Sequence, residues 1–146
     1  LKDATPSDAL KHPNWDMGAK ITIDSPTMTN KLFEVMEAYW LYGIKDIEAV
    51  IEPTSAIHAV VEFIDGSSTM HLSRTDMKLA IAHAMLEKVS ENIVSHANLL
   101  DLKSIKFHKI SPKKYPVFSL KDEVLASPDL GVVINAANEV GVFSFL

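Results

Sequence analysis

The chain reads as an α+β protein: a small, mostly antiparallel four-stranded sheet covered by helices, followed by a linker and C-terminal helices. Three observations predict this. Apolar and polar residues alternate over residues 47–52, 57–64 and 67–72, with the turn dipeptide Asp65-Gly66 between the last two runs, the signature of an antiparallel hairpin. Capped segments of helical periodicity lie before and after these runs. The proline-bounded stretch Ser111-Pro112-Lys113-Lys114-Tyr115-Pro116 reads as a linker, and two helical patterns follow it, over 118–125 and 131–146, separated by Ser127-Pro128-Asp129.

In chain order, Thr5-Pro6-Ser7-Asp8 starts a short helical turn. The loop His12-Pro13-Asn14-Trp15-Asp16-Met17-Gly18 carries a Trp and a Met among its turn residues, so it is either pinned to a core or able to close over a ligand. Lys20-Ile21-Thr22-Ile23 alternates and predicts a strand. Ser25 as N-cap and Pro26 as first helical residue then predict a helix over about 26–42, ended by Gly43. Pro53 stops the 47–52 strand, and Thr75-Asp76 caps a helix over about 76–89 whose broad apolar face is expected to cover the sheet. Residues 89–104 are weakly patterned and read as loop. Residues 105–110 alternate again, as an edge strand guarded by lysines.

The helix that follows Ser25 carries the most chemistry. Met28, Leu32, Val35, Met36 and Tyr39 fall on one side, while Thr27, Asn30, Lys31 and Glu34 gather on the other. A hydroxyl, an amide and an ammonium at the positive end of a helix dipole suit a phosphate group. Glu34, one turn deeper, would repel that anion unless a cation intervened, and magnesium or manganese sites combine a few protein oxygens with substrate oxygens. The alternative is a solvated polar face with an ordinary cap.

Composition narrows the rest. The 146 residues hold one sizeable core or one domain with an appendage, and 47% hydrophobic with 23% charged residues is the make-up of a folded chain. A net charge of −5 argues against a general nucleic-acid binder, which needs clustered Lys and Arg. With no cysteine, thiolate catalysis and zinc–thiolate sites are excluded. No apolar run has the length of a membrane span, and the cytoplasm is the default location. Five glycines without a GxGxxG or Walker pattern leave no dinucleotide loop, so any redox cofactor is expected to be held by another domain. The six histidines form no HExxH pair; His58, in a strand directly after a turn, is placed to share the cleft with Ser25 or to be a satisfied core histidine. The start at Leu1 and the apolar end Val142-Phe143-Ser144-Phe145-Leu146 suggest a piece of a longer polypeptide.

Taken in series, His12-Pro13-Asn14-Trp15-Asp16-Met17-Gly18, Ile23-Asp24-Ser25-Pro26-Thr27-Met28-Thr29-Asn30-Lys31 with Glu34, Ser55-Ala56-Ile57-His58, Asp65-Gly66-Ser67, Asp76-Met77 and Asn135-Ala136-Ala137-Asn138-Glu139 resemble successive motifs of the 1-deoxy-D-xylulose 5-phosphate reductoisomerase family. The resemblance implies an NADPH- and metal-dependent rearrangement and reduction of a sugar phosphate in isoprenoid biosynthesis. It assigns Ser25, Asn30 and Lys31 to the substrate phosphate and makes Glu34 one acidic ligand of a Mg2+ or Mn2+ ion. It places His12, Trp15 and Met17 in a catalytic lid, with His58 and Met77 as further site residues.

The same resemblance implies a homodimer, located in the cytoplasm of a bacterium or in a plastid. It divides the chain into a central catalytic and connecting region, residues 1–110, and a linker with the start of a helical domain, 111–146. The family's preceding NADPH-binding domain, which supplies two more acidic ligands and a further phosphate-binding serine, is not in this sequence, so the chain alone is expected to be inactive. Pro26, Thr29 and Leu32-Phe33 depart from the family's usual Ala, Met and Gly-Leu, and none of these removes a ligand; Glu52 stands where the family usually has His, and no role is carried over at that position. A reading from a different class is a non-catalytic anion-binding or dimerisation module.

Overall fold

The computed structural model describes residues 5–10 and 18–146. Two compact units divide the chain: one combines the described residues up to Ala49 with Lys109–Leu146, the other is Val50–His108.

The first unit is helical. A capping box at Thr5, closed by Asp8, starts the short helix α1, Pro6–Ala9. Residues predicted as a strand instead begin helix α2, Ala19–Thr27, in which the Thr22 hydroxyl donates to the Gly18 carbonyl (2.9 Å) and Lys20 pairs with Asp24 one turn on. These i to i+4 links exist only in a helix, and they reverse the burial expected of the alternation: Thr22 and Asp24 are buried while Ile21 is exposed. Pro26 therefore lies inside the last turn of a helix rather than at the start of one. It withholds an N–H from that turn, and α2 stops directly after Thr27. Met28 then takes a left-handed conformation (φ 63°), and helix α3 runs from Thr29 to Tyr42, ending on left-handed Gly43 as expected.

After the linker a 3₁₀ turn, Pro116–Leu120, leads into α5, Lys121–Ala126, and then α6, Leu130–Phe145; α4 lies in the other unit, described below. Helix α3 packs against α5 and its preceding turn, and α2 packs against α6. Leu32 and Val35 of α3, Val124 and Leu125 of α5 and Val142 of α6 are the buried apolar side chains of this unit. At Gly131 a Cβ would fall 1.9 Å from the methyl at the flexible end of the Met36 side chain, which fills that space. Lys121 donates to the Ile47 carbonyl and to Glu48 (both 3.1 Å), tying the chain beyond α3 onto α5. Burial opposes the Lys121 charge, but the Glu48 and Asp122 carboxylates outweigh it and raise its pKa.

The second unit carries the strands. β1 (Val50–Ile51) pairs with β4 (His108–Lys109), and β2 (Ile57–Glu62) pairs antiparallel with β3 (Ser68–Leu72). The expected four-stranded sheet is thus two two-stranded ones, because the alternating runs at 47–52 and 105–110 form only two-residue bridges. Register runs Val60 to Met70 and Val61 to Thr69, with an irregularity between Ile57 and Ala59. Gly66 (φ 87°) makes the turn, and Asp65 Oδ1 accepts from the Ser67 N–H and hydroxyl, which holds its pKa below the usual carboxylate range. Helix α4, Met77–Met85, starts on Asp76, whose side chain accepts from the Lys78 N–H. It does not cover the sheet as expected: Ile81 and Met85 on the helix and Val60, Val61 and Met70 on the strands are all exposed. Residues 89–104 are irregular, as read from the sequence, except for a 3₁₀ turn at Leu99–Asp101; the helix expected to run to about 89 ends at Met85, and of the strand expected over 105–110 only His108–Lys109 forms. No helix among the described residues is long and apolar enough to cross a membrane.

Candidate anion and metal site on the elbow between α2 and α3

The site is built around the left-handed elbow at Met28. Left-handed φ at a residue with a Cβ costs about 1–2 kcal/mol, and polar contacts on either side hold it. The Thr27 hydroxyl lies 3.0 Å from the Ile23 carbonyl and 2.9 Å from the Thr29 hydroxyl, and Thr29 is buried.

This elbow corrects the expected helix start. Ser25 does not cap α3; it lies in the last turn of α2, where its carbonyl accepts from the Met28 N–H (3.1 Å). The start of α3 moves toward the residues that matter. Leu32 N–H is bonded to the Met28 carbonyl (3.0 Å), so Thr29, Asn30 and Lys31 make up the first turn, whose amides have no acceptor within the helix. The positive end of the dipole therefore points out beside Asn30 and Lys31.

Three of the expected site residues come together here. Asn30 Nδ2 donates to Glu34 Oε1 (2.7 Å), and Lys31 Nζ donates to Glu34 Oε2. Both Glu34 oxygens are thus engaged once, and on a side chain 44% exposed each keeps a lone pair that a cation can take. Among the described residues no three His, Asp or Glu side chains cluster in a way that could hold a metal. Glu34 fits one oxygen ligand of a hard cation, not a complete set.

Beside the elbow a cavity of about 540 Å³ is lined by Lys20, Asp24, Asn30, Phe33, Phe143 and Leu146, among others. Asp24 in its wall is 4% exposed, and both its oxygens are engaged: Lys20 Nζ donates to Oδ2 (2.6 Å) and Asn138 Nδ2, from α6, to Oδ1 (2.9 Å). Asp24 and Asn138 each stand in a motif of the sequence, yet no local pattern predicts their pairing across 114 residues.

His58 and Met77 belong to the second unit. His58 sits at the irregularity of β2, its Nε2 3.2 Å from the Ser73 carbonyl, to which it donates when protonated there, and its ring 5.8 Å from that of His71. Met77 is the exposed first residue of α4. Glu52 folds back over the turn before His58, accepting from the Thr54 N–H (2.9 Å), the Thr54 hydroxyl and the Ala56 N–H (2.8 Å). Burial works against its charge, but these bonds outweigh it and lower its pKa. His12, Trp15 and Met17 lie outside the described residues.

Comparisons with known proteins agree on one family. A model for the 1-deoxy-D-xylulose 5-phosphate reductoisomerase C-terminal domain matches residues 1–42, and a second, for the DXP reductoisomerase C-terminal domain, matches residues 72–146. The chain is 75% identical over its whole length to a 1-deoxy-D-xylulose 5-phosphate reductoisomerase of Campylobacter curvus and 64% identical to one of Campylobacter hominis, spanning 40% of each. Among solved structures, a DOX-P reductoisomerase in complex with NADPH, fosmidomycin and magnesium is 37% identical, with a TM-score of 0.89 over 98% of this chain and 36% of that one. The Zymomonas mobilis enzyme in complex with NADPH is 34% identical, with a TM-score of 0.84 over 98% of this chain and 38% of its own.

Proposed function

Because the chain belongs to the 1-deoxy-D-xylulose 5-phosphate reductoisomerase family, we propose that it provides the phosphate-binding and part of the metal-binding machinery of such an enzyme. The reaction is the rearrangement and NADPH-dependent reduction of 1-deoxy-D-xylulose 5-phosphate to 2-C-methyl-D-erythritol 4-phosphate, a step of isoprenoid biosynthesis. The observation that carries the reading is the convergence of Asn30, Lys31 and Glu34 on the first turns of α3.

Lys31 has three N–H donors and can hold a phosphate oxygen while keeping one bond to Glu34; Asn30 and the first-turn amides add neutral donors, and Ser25 a hydroxyl. Binding energy gained at the phosphate, away from the reacting carbons, serves to orient them and to draw the lid of His12, Trp15 and Met17 over the substrate. Glu34 contributes one ligand to Mg2+ or Mn2+. When bound, the metal supplies Lewis-acid polarisation of substrate oxygens and NADPH supplies the hydride.

In sequence order, residues 1–110 form the catalytic and connecting region and 111–146 the linker and following helices. A separate domain holds NADPH and the remaining acidic ligands, so the 146-residue chain by itself oxidises no NADPH. The enzyme works as a homodimer in the bacterial cytoplasm; the apolar side chains exposed on β2 and β3 support such pairing.

The test is Glu34→Gln in the full-length enzyme. A loss of metal-dependent turnover of about 10²- to 10³-fold is expected, with an unchanged circular dichroism spectrum. A metal requirement and turnover equal to the parent's sink the ligand assignment.

A further inference from the structure

No role above uses the Asp24 carboxylate, although it is the most constrained charge on the elbow. It gathers three helices at one buried point. Lys20 of α2 and Asn138 of α6 donate one bond to each of its two oxygens, and the same Lys20 Nζ lies 3.7 Å from Glu139 of α6 and 5.6 Å from the ring centroid of Phe33 of α3. Apolar side chains of similar volume would hold α2 against α6 as firmly, because a buried charge loses hydration that its partners only offset. What polar bonds add is direction. A carboxylate with both oxygens taken has one orientation, and so does the backbone that carries it.

That backbone is the elbow. Asp24 precedes Ser25, lies one turn before left-handed Met28 and shares a cavity wall with Asn30. Thr27 and Thr29 make the elbow stiff, so a rotation of the last turn of α2 would carry Ser25 and the first turn of α3 with it. We propose that Asp24 and Asn138 form a positioning pair: α6, through the Asn138 amide, sets the angle of the elbow and thereby the convergence of Ser25, Asn30 and Lys31 on the substrate phosphate. The inference rests on the phosphate-binding reading above.

The experiment uses the full-length enzyme, with Asn138→Leu removing the donor and the exchange Asp24→Asn with Asn138→Asp restoring one N–H···O bond with its direction reversed. In the exchange Lys20 keeps an acidic neighbour in Glu139. Asn138→Leu is expected to raise KM for the sugar phosphate, and the inhibition constant of inorganic phosphate, by about tenfold, with kcat and KM for NADPH within about threefold of the parent. The exchange brings both phosphate readouts back to within about threefold. If Asn138→Leu does not fold, Asn138→Ala carries the same comparison. A phosphate readout that does not move, or one that moves together with KM for NADPH and is not recovered by the exchange, overturns the pair as a positioning device. Lys31→Ala separates the two levels. If it too leaves the phosphate readouts unchanged, the phosphate reading itself fails; if it raises them while Asn138→Leu does not, only the positioning pair fails.

Discussion

The two units hold their polar groups in opposite ways. In the helical unit Leu32 is 0% exposed, and around that core the polar residues of the elbow are fixed by bonds between helices, Asp24 to Asn138 above all. In the second unit Val61, in the middle of β2, is 52% exposed, and Ala56 is the buried apolar residue among those described. The hairpin is shaped by its own turn chemistry: Gly66 in the left-handed region, Asp65 bonded to Ser67, Glu52 bonded to Thr54 and Ala56. Packing makes a site rigid, whereas turn chemistry makes a surface without covering it. The elbow with Asn30, Lys31 and Glu34 belongs to the packed unit, and the strands of the other keep apolar side chains exposed.

Core truncation should break this contrast most visibly. Leu32→Ala is expected to cost about 2–5 kcal/mol in urea denaturation, the range for a fully buried leucine. Gly66→Ala forces a Cβ into left-handed φ and should cost about 1–2 kcal/mol, read as faster hydrogen exchange confined to β2 and β3. Val61→Ala should change the stability of the separated protomer by no more than about 0.5 kcal/mol, since its side chain is already wet. A larger loss at Val61 would show that the sheet is covered within the protomer. Val60→Lys with Val61→Lys sharpens the same point: sedimentation should show a dimer dissociating at lower dilution, with protomer stability unchanged.

The smallest effects are those of pH, and their signs follow from the shifts. Asp65 and Glu52 have lowered pKa values in the fold, so their contribution is present above the ordinary carboxylate range and is lost as pH falls through their folded values. Lys121 has a raised pKa, so its contribution is complete below the ordinary lysine range and is lost as pH rises through its folded value. Hydrogen exchange should then loosen first in the hairpin and the 52–56 turn at acid pH, and between Glu48 and α5 at alkaline pH. The reverse order would contradict these assignments.

Local chemistry was legible from the residues alone wherever it decides structure. Asp65-Gly66 makes a hairpin, Asp76 starts a helix and Gly43 ends one in any context, because each needs only its own dihedrals and near neighbours. The face of α3 that carries Asn30, Lys31 and Glu34 followed from helical spacing, and the series of motifs identified the family. The pairing at 50–51 and 108–109 is shorter than the alternation around it, since alternation records that one face is wetter than the other and not how far a partner strand extends.

Tertiary structure alone decided the elbow. Lys20-Ile21-Thr22-Ile23 has the alternation and β-branching of a strand, yet it is helical, because α6 offers the Asn138 amide to a buried Asp24 and Lys20 can reach that carboxylate only one helical turn away. Pro26 is ambiguous for the same reason: its fixed φ suits the last turn of one helix as well as the first turn of another, and only packing chooses between them. The sequence by itself determined which groups the site contains. The bond that joins Asp24 of the elbow to Asn138, 114 residues away in the chain, is encoded by no local pattern.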